Sequence, residues 1–343
     1  MKRFTNKPSP SPVYERNETC QKIKSLLVYQ ELQHIQTKED DTVPLAYLID
    51  YLNDQISQSE LRILPDRPLA LRDGHVMGRF ATLQLSSVFQ RVVSSRDTAC
   101  SIGHEGLLRV HTVDGRAVAP WAALRGPVSP NAIVYLDRLC RMVHMLNYLA
   151  QMRARPATLF LNVGTRHLLS VSQNHGWYFE QVLQDCGLMP QHIVIDVRAS
   201  DTYSSRAHAA LANYRARGYR VAIEDFALTD GAFELLWQMP ADIVKLDVRS
   251  LIKADKSQRR KLRRLLEHTP IDVIATGVET SEQARAARAL GIAGLQGFYF
   301  GTPAASVSPL EKPRELTRKD LEASVLCRDP PFADQGARLQ FCC

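Results

Sequence analysis

Between about residues 86 and 305, short β-branched runs alternate with stretches of helical spacing, and most of the runs end in a polar or acidic residue. Strands are expected at Leu107–Thr112, Thr158–Val163, His192–Val197, Arg220–Ile223, Ile243–Leu246, Asp272–Ala275 and Gly294–Gln296. Helices are expected at Ile133–Ala150, Trp177–Cys186, Ala207–Arg217, Ser257–His268 and Ser281–Leu290, where apolar residues recur at helical spacing. Strict alternation of strand and helix implies a parallel sheet with helices on its faces. About eight such units over roughly 220 residues favour closure into a β/α barrel over an open sheet.

The flanks read differently. Residues 1–85 are expected to form a mostly helical extension behind a PSPSP arm, with helices at Thr19–Gln36 and Pro44–Leu61. Residues 306–343 read as a polar, proline-containing tail with a short helix at Thr317–Val325. The barrel would then occupy 86–305. With 45% apolar and 23% charged residues the chain has an ordinary globular balance. No apolar run approaches membrane-spanning length, and no apolar segment follows the basic start, so no membrane span and a cytoplasmic location are expected. The seven cysteines are scattered without a C-x-x-C pair, which argues against a zinc knuckle or a disulfide framework. The net charge of +7 favours anionic partners without saying which.

In a β/α barrel, residues at the C-terminal strand ends build the site. Here these are Glu105 and Arg109 in HEGLLR, Asn162 in LFLNVG, Asp196 in IVIDVRAS, and Glu224 and Asp225 in VAIEDF. Lys245 and Asp247 in DIVKLD, Glu279 in ATGVET and Gln296 in LQGFYF complete the ring. Clustered carboxylates suit hard divalent cations, and two such ions can clamp the attacking and leaving oxygens of a phosphodiester. A lysine beside them would stabilise developing charge. Taken singly, each residue has a plainer reading. Glu105 and Asp196 would pair with Arg109 or Lys245, Asn162 would cap a helix, and Gln296 would satisfy a backbone group.

The order of these motifs resembles the EAL family of cyclic-di-GMP phosphodiesterases, over about Phe89 to Pro303. FQRVV is similar to the family's FQPIV, HEGLLR to EALLR, IVIDVRAS to LELTES, VAIEDF to IAIDDF, DIVKLDVRSLI to DIVKIDRSFI, and VIATGVET to VIAEGVET. LNVG and LQGFYFGTP match the asparagine strand and the glutamine-glycine strand. The resemblance implies an EAL-type TIM (β/α)8 barrel. It implies metal ligands at Glu105, Asn162, Asp196, Glu224 and Asp225 for Mg²⁺ or Mn²⁺, and catalytic roles for Lys245 and Glu279. It also implies nucleotide contacts from Arg109, whose guanidinium suits phosphate, and from Gln296.

The departures fall on the chemistry. Asp196 replaces a glutamate and Glu224 an aspartate, so one oxygen set is a methylene shorter and the other a methylene longer. The second glutamate of LELTES falls on Ala199, and that of AEGVE on Thr276. Ala227 and Thr229 replace both glycines of the DFGTG loop, which would cost energy if those positions need positive φ. These changes point to a degenerate regulator, inactive or weak in hydrolysis, that acts by binding cyclic di-GMP or a regulatory protein partner to control gene expression, motility or virulence. The alternatives are an active metal-dependent phosphodiesterase giving linear pGpG and, less favoured, a DNA-binding repressor using the basic helix SQRRKLRRLLEH. On an outer barrel helix such a run is more often a solvated face, so a nucleic-acid partner is not expected. A homodimer is compatible with the resemblance.

Overall fold

Two twelve-residue strands open the barrel and run in opposite directions: β3 (Leu83–Ser94) and β4 (Ser101–Thr112). They pair antiparallel from Leu83↔Thr112 to Val93↔Ser101, with an irregularity at Val92/Val93. The computed structural model of the protein describes residues 45–58, 65–152 and 158–307. The expected helices at Thr19–Gln36 and Thr317–Val325 lie outside these residues. The chain divides into two compact units, 1–48 and 49–343, and the second holds the barrel.

After β4 come β5 (Ala117–Val118), α2 (Pro120–Arg125) and the long α3 (Pro130–Met152); α1 (Leu45–Gln58) precedes them all. The strands β6 (Thr158–Asn162), β7 (Ile193–Arg198), β8 (Arg220–Glu224), β9 (Ile243–Asp247), β10 (Asp272–Thr276) and β11 (Gly294–Gln296) then follow in parallel from β4. β11 returns to β3 antiparallel and closes an eight-stranded ring. The expected fully parallel sheet therefore holds for seven strands, while β3 is inverted. Its partner β4 is reached by a short turn rather than a helical crossover, so the chain must reverse.

The helices between the strands carry their own start signals. Ser129 Oγ accepts from the Ala132 amide ahead of α3, and Ser204 does the same for Ala207 ahead of α6 (Ser205–Ala216). Asp255 with Gln258, and Thr280 with Gln283, form capping boxes for α9 (Lys256–His268) and α10 (Ser281–Ala289). Two shorter helices, α7 (Asp230–Leu236) and α8 (Val248–Lys253), are capped by Thr229 and Asp247. The remaining helices are α4 (Thr165–Ser170) and α5 (Trp177–Asp185).

Within the expected helical extension the structure adds a hairpin, β1 (Leu69–Arg72) and β2 (His75–Phe80), joined by Asp73–Gly74 at positive φ. β2 continues the sheet beyond β3. Buried Asn53 on α1 clamps the backbone of Leu69 with two 2.9 Å bonds. Asn147 on α3 clamps Val76 in the same way, at 2.9 and 2.7 Å. Each amide meets an N–H and a C=O that the hairpin would otherwise leave unpaired in the interior.

Inside the barrel the side chains form two layers. The lower layer is apolar: Val92, Phe160, Val194, Ala222, Ile243 and Ile274. Two residues further along most strands the next inward positions are polar, because side chains alternate with a period of two. They are Asn162, Asp196, Glu224, Lys245 and Thr276, joined from the neighbouring strands by Glu105, Gln90 and Gln296. Gly297 follows Gln296 where the backbone meets the segment after β10. A Cβ there would lie 2.1 Å from the Val278 carbonyl oxygen, so the approach requires glycine.

Candidate metal and nucleotide site

Lys245 is the centre of the polar layer. It stands on β9, 2% exposed, over the Phe160 ring at 5.0 Å. Its Nζ donates to Glu105 Oε2 at 2.8 Å and forms an ion pair with Asp196 Oδ2. Glu105 also accepts from Asn162 Nδ2 at 3.0 Å and from Gln296 Nε2 at 2.8 Å. Gln296 is braced in turn by Gln90 Oε1 at 3.3 Å. Register explains the convergence: Asn162 lies beside Asp196, and Glu105 beside Phe160 and Gln90, on adjoining strands.

The two acids that share Lys245 differ in ionisation. Burial works against the charge of Glu105, but the lysine and the donated hydrogen bonds outweigh it and hold that carboxyl below its ordinary range. Asp196 lacks those donors, and its Oδ1 has no hydrogen-bond partner. Burial pushes it up to about 7 against the pull of Lys245, and the charge of Glu105 adds to the rise. Glu224 rises to about 8, through burial first and then the charges of Asp196 and Glu105. Lys245 stays charged: its own burial lowers its pKa, but Asp196, Glu105 and Glu224 raise it by more.

Glu105, Asp196 and Glu224 bring carboxylate oxygens within 4.8 Å of one another. An orphaned, fully buried Asp196 oxygen and clustered hard donors fit a divalent cation such as Mg²⁺ or Mn²⁺. The structure thus joins six of the sequence-derived residues in one layer: Glu105, Asn162, Asp196, Glu224, Lys245 and Gln296. Asp225 lies at its rim with a 78% exposed side chain and φ 53°, a left-handed conformation that aspartate tolerates. Arg109 is four residues beyond Glu105 on the same face of β4, and its Nη1 donates to the Leu108 carbonyl. Glu279 lies beyond β10, where its amide donates to Gln283 Oε1 at 2.6 Å as part of the start of α10.

The plainer readings fare unevenly. Glu105 and Asp196 do pair with Lys245, which is compatible with a metal role. Asn162 does not cap α4, whose N-cap position is Gly164 and carries no side-chain bond. Gln296 donates to side chains rather than to the backbone.

The substituted positions have found other bonds. Thr276 Oγ1 donates to the Leu246 carbonyl at 3.3 Å. Ala199 opens a 3-10 turn that Thr202 Oγ1 closes onto its carbonyl at 2.7 Å. The loop strain expected at Ala227 and Thr229 is absent. Among described non-glycine residues positive φ occurs at Asp73, Ala81, Asn174 and Asp225, and Thr229 sits at φ −103° as the cap of α7. At Ala227 and Thr229 the loop takes a path that needs no glycine, and its left-handed residue is Asp225.

One residue escaped the sequence reading. Arg198, two residues after Asp196, has Nε 3.4 Å from Glu224 Oε1 and 4.0 Å from Asp225 Oδ2. The period of two puts it on the same face as Asp196, a signal that was available.

The fold is thus an eight-stranded β/α barrel with one inverted strand and an acidic, lysine-centred layer at its strand ends. The EAL domain family model matches residues 76–303, and the chain belongs to that family.

Its relatives include an uncharacterised protein of Azorhizobium caulinodans, 27% identical over 67% of this chain and 36% of that protein. The probable cyclic di-GMP phosphodiesterase PdeA of Escherichia coli is 28% identical over 34% of this chain and 17% of its own length. The cyclic di-GMP phosphodiesterase TpdA of Vibrio parahaemolyticus is 25% identical over 46% and 29%. The chain thus spans little more than a third of these relatives at most. Among solved structures, the cAMP-bound EAL enzyme Bd1971 aligns with TM-score 0.55 and 20% identity, over 84% of this chain and 75% of that one. The calcium and cyclic-di-GMP complex of Klebsiella pneumoniae BlrP1 aligns with TM-score 0.54 and 22% identity, over 64% and 56%. These two likenesses establish the fold. Among the described residues no helix is long and apolar enough to cross a membrane.

Proposed function

We propose that this chain is a degenerate EAL-domain signalling regulator, inactive or weak in hydrolysis, that acts through cyclic-di-GMP binding and contacts with a regulatory protein. The observation that carries the reading is the divided state of the polar layer. Its acid cluster at Glu105, Asp196 and Glu224 is retained, while the supporting positions Ala199 and Thr276 have no acid and are engaged in local backbone bonds.

Glu105, Asp196 and Glu224 would hold a divalent ion, with Asn162 and Asp225 at the edge. Such an ion, when bound, supplies charge stabilisation at a phosphate oxygen. Lys245 keeps Glu105 ionised and orients it, and Gln296 and Asn162 fix its second position. Arg109 presents a guanidinium suited to a phosphate oxygen pair, a contact that needs no hydrolysis. Catalytic geometry tolerates errors of only about half an ångström, and the Asp196 and Glu224 swaps each move an oxygen by about a bond length.

Calorimetric titration with cyclic di-GMP tests the binding half. Micromolar or tighter binding that is lost in Arg109→Ala supports a nucleotide receptor. Absence of binding assigns the chain to protein contacts alone, and efficient production of pGpG refutes the regulator reading.

A further inference from the structure

Arg198 ends β7 on the inward face, and register sets it directly beside Glu224 on β8. Its guanidinium reaches Glu224 Oε1 at 3.4 Å and Asp225 Oδ2 at 4.0 Å. These are the two carboxylates standing where the family pattern has its metal-binding aspartate pair. The four acids expected as metal ligands therefore fall into two pairs, each facing a cation supplied by the chain. Glu105 and Asp196 face Lys245, while Glu224 and Asp225 face Arg198.

The carboxylates that gather within 4.8 Å are Glu105, Asp196 and Glu224, and Asp225 is not among them. A second ion would have to share Glu224 and recruit Asp225 across the space that Arg198 spans. We propose that Arg198 takes the place of one cation of the two-metal arrangement, so that this chain binds at most one divalent ion, at Glu105, Asp196 and Glu224. A fixed positive charge 3.4 Å from Glu224 and 4.0 Å from Asp225 opposes an incoming dication at those carboxylates. An arginine also donates to phosphate oxygens, but it has no coordination sphere in which to hold and acidify a water. A site with one metal and one arginine therefore keeps affinity for a phosphodiester while losing one half of a two-ion clamp. The inference rests on the degenerate-site reading and names a chemical cause for it.

Manganese binding to the full chain, without nucleotide, tests this by electron paramagnetic resonance of free Mn²⁺ and by calorimetry. The wild-type chain is expected to bind one ion. Arg198→Thr is expected to bind two, or to bind the one about tenfold or more tighter. Arg198→Lys keeps the charge and is expected to follow the wild type. Arg198→Gln, neutral and of similar reach, gives the same reading as the threonine variant should that one melt early. Two ions on the wild type, or unchanged number and affinity in the neutral variants, overturn the proposal. Efficient turnover by a wild type holding one ion would sink the function proposed above and leave the role of Arg198 standing. Two ions without turnover would do the reverse.

Discussion

Lys245 Nζ and Glu105 Oε2 meet at 2.8 Å in the barrel interior, from residues 140 apart in the chain and both almost out of reach of solvent. A buried charge without its partner is costly, so this pair and Asp196 form one electrostatic unit.

Replacing Lys245 with methionine leaves Glu105 and Asp196 without a countercharge. The expected loss of stability is about 3–5 kcal/mol in urea unfolding near neutral pH. Saturating Mn²⁺ should narrow the loss, because the ion supplies the missing charge. An unchanged unfolding midpoint would show that the lysine does not hold the acids.

Stability should fall with rising pH in the absence of divalent ions. Asp196 at about 7 and Glu224 at about 8 hold their protons more tightly folded than unfolded. Such groups stabilise the fold fully below their unfolded values of about 4, and the contribution is lost as pH rises through the folded values. Glu105 shifts the other way, so its contribution is lost only in acid. The melting temperature is therefore expected to decline between about pH 5 and 8.5. Glu224→Gln should flatten the curve, and Mn²⁺ should restore stability at the alkaline end, where the ligands are deprotonated. A flat profile for the metal-free wild type would contradict the cluster electrostatics.

Gly106 stands where the family signature has alanine, and the reason lies on α3. A Cβ at this position would fall 3.0 Å from His144 Cγ, and His144 is itself fixed by a 2.7 Å bond between its Nδ1 and Ser87 Oγ. Gly106→Ala is expected to cost about 1–3 kcal/mol through overpacking. Much of that should disappear when His144→Ala is added, which a double-mutant cycle measures. Equal costs in both backgrounds would place the strain elsewhere.

The same contacts show why some features were readable and others were not. β7 and β8 were legible because IVIDV and VAIE combine apolar burial with an acid at the barrel mouth, and each pattern is local. β3 was harder to read. Its twelve residues include Ser86, Ser87, Gln90 and Arg91, and strand direction depends on the partner rather than on the strand's own residues. The β1–β2 hairpin carried a readable Asp73–Gly74 turn signal that the helical reading of the extension passed over. Arg198 reads as a solvent-facing cation until register sets it against Glu224, 26 residues away. The fate of Ala199 and Thr276 was likewise hidden, since their replacement bonds run to Thr202 and to the Leu246 backbone.

The central claim is that the barrel keeps its acid cluster without supporting efficient hydrolysis. Incubation of the full chain with cyclic di-GMP and Mn²⁺ or Mg²⁺, with linear pGpG followed over time, tests it most directly. The account predicts product at or only slightly above the level of Glu105→Ala. Efficient, sustained turnover in the wild type that disappears in Glu105→Ala would contradict it.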